Sequence, residues 1–175
     1  MEDRSDMNVL KKILLFPLLF VSVSAQARVL SGDILNWCES DQLLNFDVVS
    51  GYGVNSQIIA WWSVASVTDG TSYFYGGELN DLPNVEVAIA TGVKDVSEIA
   101  DAAIYDFDRG SIGPLEGGTV VLYRNLKTGY YAAIKIDNVR PTEDRVRCSY
   151  KAAVLNGTWY LQDDKTPDFG ALGSQ

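Results

Sequence analysis

Short runs of β-branched and aromatic residues, separated by turn residues, constrain the fold of this chain more than any other sequence feature. No long stretch after residue 27 shows a helical period, whereas several show the two-residue alternation of strands. The runs that we predict to be strands are residues 43–49, 57–67, 72–75, 85–91, 103–107, 119–124, 130–139, 146–154 and 158–162. This pattern predicts an all-β domain, either an antiparallel β-sandwich or an open barrel.

Turn residues indicate how neighbouring strands are joined. The Asn-Gly pair at 156–157 tolerates the positive φ angles of a two-residue type I′ turn, which predicts a hairpin there. Lys-Thr-Gly at 127–129 and Asp-Gly at 69–70 predict two more hairpins. Only residues 96–102 depart from the strand pattern, and there Ser97 could cap a short helix. We therefore expect at most one short helix.

The N-terminus has the pattern of a signal peptide. Lys11 and Lys12 precede an apolar run of about eleven residues that ends in the Ala-x-Ala sequence of residues 25–27. That run is shorter than the roughly 20 residues that a spanning helix needs, and no later segment approaches that length. We expect a signal peptide at 1–27, a single secreted or periplasmic domain at 28–169 without a membrane span, and a mobile tail at 170–175.

The chain has two cysteines, Cys38 and Cys148, far apart in the sequence. In an oxidising compartment such a pair most simply forms one disulfide. That bond would bring the first and the penultimate strands close together. A metal site on these cysteines is not expected, because neither has a second ligand at metal spacing and the chain has no histidine.

Composition narrows the possible functions. The formal net charge is −9 and no Lys or Arg occurs between Arg28 and Lys94, which argues against a nucleic acid or an anionic membrane as partner. Solubility alone is enough to explain the acidity, and the alternative is an acidic face that binds divalent cations or a cationic partner. Residues 106–110 begin like a calcium-binding loop, but Gly110 stands at position five, Ser111 replaces the glycine expected at position six and the final glutamate is missing, so we expect a solvated turn.

Enzymatic activity is not expected from this sequence. The absence of histidine excludes Ser-His-Asp and Cys-His catalysis, and no glycine-rich loop suits a nucleotide phosphate. We therefore predict a protein that is not an enzyme and carries no cofactor. A glycan hydrolase with two catalytic carboxylates remains an open alternative, because that mechanism needs only Asp or Glu.

Aromatic residues occur in adjacent groups, at 61–62, 73–75, 130–131 and 159–160. Neighbouring side chains on a strand point to opposite faces, so one member of each group should face outward. Flat rings at a surface bind sugars and protein partners, whereas the alternative is cross-strand aromatic pairing that only stabilises a sheet. The residues that we predict to bind a ligand are Trp61, Trp62, Tyr73, Tyr75, Tyr131 and Trp159.

Three segments carry a family resemblance: Gly-Thr-Val-Val-Leu-Tyr-Arg-Asn at 118–125, Thr-Gly-Tyr-Tyr-Ala-Ala-Ile-Lys-Ile at 128–136 and Leu-Asn-Gly-Thr-Trp-Tyr-Leu-Gln at 155–162. Together they resemble a C-terminal segment of exported bacterial β-domains with no assigned function. The middle segment is also distantly similar to a hairpin of secreted haem-capturing β proteins, which hold iron through histidines that this chain lacks. The resemblance implies an exported β-fold and no particular activity.

These observations leave three functional hypotheses. The first is a secreted, non-enzymatic binding module that recognises a glycan or a protein through exposed aromatic rings. The second is a structural or adhesive surface component in which the same rings serve self-association. The third is the carboxylate-dependent glycan hydrolase.

Overall fold

The computed structural model describes residues 28–38, 43–64, 72–77, 84–143, 148, 153–170 and 172. Within them, two antiparallel sheets pack face to face, which confirms the predicted all-β, sandwich-like fold. The strands are β1 (Val29–Cys38), β2 (Leu44–Asn45), β3 (Ile59–Val64), β4 (Ser72–Tyr75), β5 (Val85–Ile89), β6 (Ser111–Ile112), β7 (Val120–Asn125), β8 (Tyr131–Pro141) and β9 (Ala153–Gln162). One α-helix, α1 (Phe46–Ser50), and the 3₁₀ turns Val96–Glu98 and Ala102–Ile104 complete the described elements.

The two sheets differ in size. The larger has five strands in the order β1-β9-β8-β7-β5, and the smaller has four in the order β2-β3-β4-β6. All pairs of neighbouring strands are antiparallel. Among the described residues, no helix is long and apolar enough to cross a membrane.

The five-stranded sheet is buried on both faces. In β7, Val121 and Tyr123 point into the core between the sheets, while Val120 and Leu122 belong to a second core on the opposite side. That second core is covered by the 3₁₀ turns and by the C-terminal segment around Phe169. Burial on both faces explains why β7 is a continuous apolar run and not an alternating one.

The structure confirms the disulfide between Cys38 and Cys148. Both residues are buried, and Cys38 lies at the end of β1, opposite Val154 of β9. No strand was predicted for 29–38, yet β1 forms the edge of the larger sheet there. The described end of the strand predicted at 146–154 and the strand predicted at 158–162 belong to one strand, β9, while residues 146–147 and 149–152 lie outside the described residues.

The predicted hairpin at 156–157 is wrong, because Asn156 and Gly157 lie inside β9. Gly157 pairs with Ile34 of β1 and Ile136 of β8, and its φ is not in the left-handed region. A Cβ at this position would collide with the carbonyl oxygen of Lys135. The glycine is therefore required by the close approach of three strands and not by a turn.

The hairpin at 127–129 agrees with the structure, which pairs β7 with β8 across this turn. Asn125 Oδ1 accepts hydrogen bonds from the backbone nitrogens of Lys127 (2.9 Å) and Thr128 (3.0 Å), and Gly129 has φ +80°. The turn at 69–70 lies outside the described residues, although β3 and β4 are antiparallel neighbours.

At three places a side chain that caps a helical turn makes the structure differ from the predicted strand or helix. Only Leu44–Asn45 of the predicted strand 43–49 is extended, because Asn45 Oδ1 accepts from the nitrogens of Asp47 (3.0 Å) and Val48 (3.4 Å) and begins α1. The predicted strand 103–107 is replaced by the 3₁₀ turn Ala102–Ile104, which Asp101 caps. Asp95, and not Ser97, caps the turn Val96–Glu98.

The described part of the C-terminal segment packs against the second core. Phe169 is fully buried, and its nitrogen donates to the carbonyl oxygen of Ile99 (2.9 Å). Leu172, inside the predicted tail 170–175, is half-buried against the same core.

Candidate functional site

Two of the six aromatic residues predicted to bind a ligand are interior. Trp62 is fully buried between the sheets, with its ring centroid 6.1 Å from that of Trp37, so it cannot belong to a surface site. It points inward because Ala60 and Val64, two positions away on either side, also do. Trp159 is 6% exposed and packs edge-on against Phe46 with ring centroids 6.4 Å apart.

Three more of these residues lie on the outer face of the four-stranded sheet. Trp61 stands opposite Tyr75, and their rings stack with centroids 4.5 Å apart. Tyr73 stands opposite Ser63 on the same face. All three aromatic side chains are half-buried, and the Trp61 indole nitrogen is buried without a hydrogen-bond partner. This arrangement is the cross-strand pairing that stabilises a sheet.

Tyr131, the remaining one, lies on the other side of the sandwich. It is half-buried against the second core, and its ring centroid is 6.3 Å from that of Phe107. The six predicted residues therefore do not form one surface.

A different surface emerges beside β1 and α1. Seven large hydrophobic side chains are exposed among the described residues, and four of them line two neighbouring cavities: Leu35, Leu43, Val49 and Tyr52. The exposed fractions of Leu35, Leu43 and Tyr52 are 70%, 55% and 62%. We call the two cavities together the apolar groove. Single exposed hydrophobic residues are common on proteins, whereas a cluster around cavities is typical of an interaction site.

The backbone explains why these side chains are exposed. In α1, Phe46 and Ser50 face the interior one helical turn apart, which leaves Val49 on the outer side. In β1, the register with β9 shifts between Ile34 and Trp37, and this irregularity leaves Leu35 exposed. The groove thus depends on a short helix and a strand irregularity.

The two cavities share a wall. The first has a volume of about 250 Å³ and the second about 280 Å³, and Val49 and Trp159 line both. The Trp159 indole packs directly on Gly32, because a Cβ at residue 32 would lie only 2.7 Å from the indole nitrogen. This contact fixes the position of the indole. The groove therefore has a rigid aromatic wall and an exposed aliphatic rim.

Charged residues stand at both ends of the groove. Asp33 lines the first cavity and Arg28 the second. The Arg28 guanidinium lies 4.7 Å from the centre of the Tyr52 ring, and its Nη2 donates to Tyr52 Oη (3.1 Å). This contact orients the exposed tyrosine.

The titratable groups with clearly shifted pKa values lie away from the groove. Lys135 Nζ donates to Asp95 Oδ2 (2.6 Å), which lowers the pKa of Asp95 to about 2 and raises that of Lys135. Burial raises the pKa of Tyr123, and it is also the main cause of the raised pKa of Tyr160. Among the described residues, no group of three or more His, Cys, Asp or Glu is placed to hold a metal ion.

Sequence reasoning identified Trp159 but missed the aliphatic part of the groove. The signal that could have found it is the helix-capping pattern of Asn45 and Gly51, which brackets five residues and predicts a turn of helix in place of a strand. Such a helix would have left Val48 and Val49 exposed. Comparison with known protein families, with curated proteins and with solved structures gave no match. The family resemblance of the C-terminal segments therefore stays a prediction.

Proposed function

We propose that this protein is an exported, non-enzymatic binding module that holds an apolar segment of another protein in the apolar groove. The observation that carries the proposal is the gathering of Leu35, Leu43, Val49 and Tyr52 around two cavities with Trp159 as their common wall. Removing apolar surface from water stabilises a complex by about 25 cal/mol per Å² before the costs of association are subtracted. A patch of this kind gains most when a partner covers it.

A protein partner fits the groove better than a glycan does. Sugar rings are usually held on an exposed aromatic face, and Trp61 and Tyr75 present their faces to one another. The first cavity of the groove offers Leu35, Leu43 and Val49, which pack against apolar side chains of similar shape. An aromatic residue at its base, Trp159, is the residue type that most often dominates protein interfaces.

The geometry suggests the chemistry of the partner. The first cavity, lined by Leu35, Leu43 and Leu44, suits an apolar side chain, and the second, with Arg28, Ser31 and Ser50 in its lining, suits a polar one. No Lys or Arg lies between Arg28 and Lys94, while eight acidic residues do. Lys or Arg flanking the apolar side chain would therefore be attracted to this half of the chain. The disulfide supports an oxidising compartment as the place of the encounter.

A displayed library of short random peptides, selected on the immobilised protein, tests the proposal. We expect enriched peptides to carry an apolar residue with Lys or Arg nearby, and to bind about tenfold more weakly to Leu35→Ser and Val49→Ser. Leu126→Ser is the control, because Leu126 is similarly exposed (58%) and does not line the groove. Failure to enrich any peptide, or equal binding to all variants, would contradict the proposal.

Sedimentation of the protein alone distinguishes the main alternative. Self-association that disappears in Leu35→Ser and Val49→Ser would show that a second copy occupies the groove, which favours the adhesive component over the module for another protein. We expect the protein to remain monomeric at concentrations where the selected peptides bind.

A further inference from the structure

A third cavity, of about 340 Å³, lies between the edges of the two sheets and away from the apolar groove. Elements of both sheets contribute to it, together with the start of α1. Five of its seven lining residues have polar side chains, and we call it the polar cleft: Asn45, Asp47, Gln57, Ile59, Asn84, Val85 and Asn125. Its volume is at the lower end of the range of roughly 300–1,000 Å³ for ligand pockets.

The loop that carries Gln57 into the cleft has an unusual backbone. Asn55 has φ +59° and Gln57 has φ +54°, both in the left-handed region that residues other than glycine rarely adopt. Such conformations persist only where the surroundings impose them, and they concentrate at functional sites.

Contacts from α1 and from the hairpin of β7 and β8 impose this conformation. The Asp47 carboxylate accepts hydrogen bonds from the backbone nitrogens of Ser56 (2.7 Å) and Gln57 (2.9 Å). On the other side, Thr128 Oγ1 donates to the carbonyl oxygen of Ser56 (2.7 Å), and Asn125 Nδ2 donates to that of Gln57 (2.9 Å). The backbone of Gln57 is thus fixed beside the cleft that its side chain lines.

Several side-chain amides in the cleft are available to a ligand. Asn45 and Asn125 use their oxygens to accept backbone hydrogen bonds. The amides of Gln57 and Asn84, and Nδ2 of Asn45, make no hydrogen bond to any other residue in the described part of the chain. A carboxamide both donates and accepts, which matches a hydroxyl group that does the same.

We propose that the polar cleft binds a neutral saccharide unit. Amides provide partners for its hydroxyl groups, and the apolar side chains of Ile59 and Val85 provide a surface for its C–H face. No Lys or Arg lines the cleft while Asp47 does, so an anionic sugar or a phosphate would be repelled. This site shares no lining residue with the apolar groove and extends the function beyond protein recognition.

The test is a titration followed by NMR of the side-chain amides. The probes are glucose, galactose, mannose, N-acetylglucosamine and their disaccharides at millimolar concentrations. We expect at least one of them to shift the amide signals of Gln57, Asn84 and Asn45 saturably. We also expect binding to weaken about tenfold or more in Gln57→Gly and in Asn84→Ala.

Gln57→Gly is informative because it removes the amide without straining the fold. Glycine adopts φ +54° readily, so this variant should melt no lower than the unaltered protein, and lost binding could not be attributed to unfolding. Asn55→Gly is the matched control, since it changes the backbone preference in the same way without altering the lining, and it should bind as before.

Two results would overturn the proposal: no saturable shift with any sugar of the panel, or unchanged affinity in Gln57→Gly. Shifts confined to Trp61 and Tyr75 would likewise contradict it, because they would place the sugar on the outer sheet face. Leu35→Ser should bind the sugar normally, so failure of the groove and failure of the cleft are distinguishable.

Discussion

Replacing Gly157 with alanine tests the central packing of the larger sheet. Gly157 lies in β9, the strand between β1 and β8, and it pairs with Ile34 on one side and Ile136 on the other. An added Cβ would meet the carbonyl oxygen of Lys135, which belongs to the backbone of β8. Side-chain rotation cannot relieve this contact, so a strand must move and its ladder hydrogen bonds must distort.

The expected loss of unfolding free energy depends on the atom that the added Cβ contacts. Overpacking typically costs about 1–3 kcal/mol, and we place this variant at about 3 kcal/mol because the obstacle is backbone. For a domain of this size each kcal/mol lowers the melting temperature by roughly 2–4 °C, so we expect a fall of about 6–12 °C. Gly157→Asn should destabilise more, because its side chain is larger.

Urea unfolding followed by circular dichroism measures these changes, with a constant m-value as the check on two-state behaviour. The control is Gly110→Ala, whose added Cβ would lie 3.1 Å from Asp108 Oδ1, an exposed side chain that can move. We expect that control to change stability by less than about 1 kcal/mol. If Gly157→Asn were nearly neutral, the position would behave as a type I′ turn and the continuity of β9 would be refuted.

Three further predictions concern the bonds that tie the domain together. Reduction of the disulfide, which closes a loop with a sequence separation of 110, should lower the unfolding free energy by up to about 4–5 kcal/mol, and an unchanged urea midpoint would contradict this. Asp95→Asn should reduce the unfolding free energy at neutral pH, because the ion pair with Lys135 lowers the pKa of Asp95 to about 2. The difference in unfolding free energy between the variant and the unaltered protein should shrink as the pH falls from about 4 to 2. A difference that does not change with pH would exclude the ion pair as its cause. The backbone nitrogen of Arg28 lies 3.0 Å from Asp163 Oδ1, and cleavage after Ala27 would turn this nitrogen into a charged ammonium group. Asp163→Asn should therefore lower the melting temperature of protein that starts at residue 28 more than that of protein that keeps the upstream residues.

The sequence was informative about the fold where a single local rule decides the outcome. Alternation and turn residues predicted the sandwich, and the cysteine pair predicted the disulfide that links Cys38 to Cys148. The errors arose where tertiary contacts decide. Asn156 and Gly157 form a dipeptide that is typical of a turn, yet glycine is required at 157 because the backbone of β8 approaches so closely. Asn45 and Asp101 begin helical turns inside segments whose composition favours strands.

The candidate site was harder to predict than the fold, because the exposure of a side chain on the outer face of a sheet depends on whether another layer of the protein covers that face. Alternation predicted that one of Trp61 and Trp62 faces outward, and in the structure Trp61 does so but stacks on Tyr75. Tyr131 faces outward from its own sheet and meets a third layer. Adjacent rings therefore indicate sheet faces, and they do not distinguish a face that binds from one that another layer covers.

The two candidate sites share a physical origin that no pattern of rings could reveal. Each lies at an irregular connection: the apolar groove at a five-residue helix beside a shift in strand register, the polar cleft at a loop with two left-handed residues. Asp47 links them, since it belongs to the helix whose Val49 lines the groove, while its carboxylate holds the nitrogen of Gln57 at the cleft. Asp47→Ala should consequently disturb both sites, whereas Leu35→Ser and Asn84→Ala should each disturb one. If the variant lost neither activity, or only one, the carboxylate would not be the common support that its hydrogen bonds indicate.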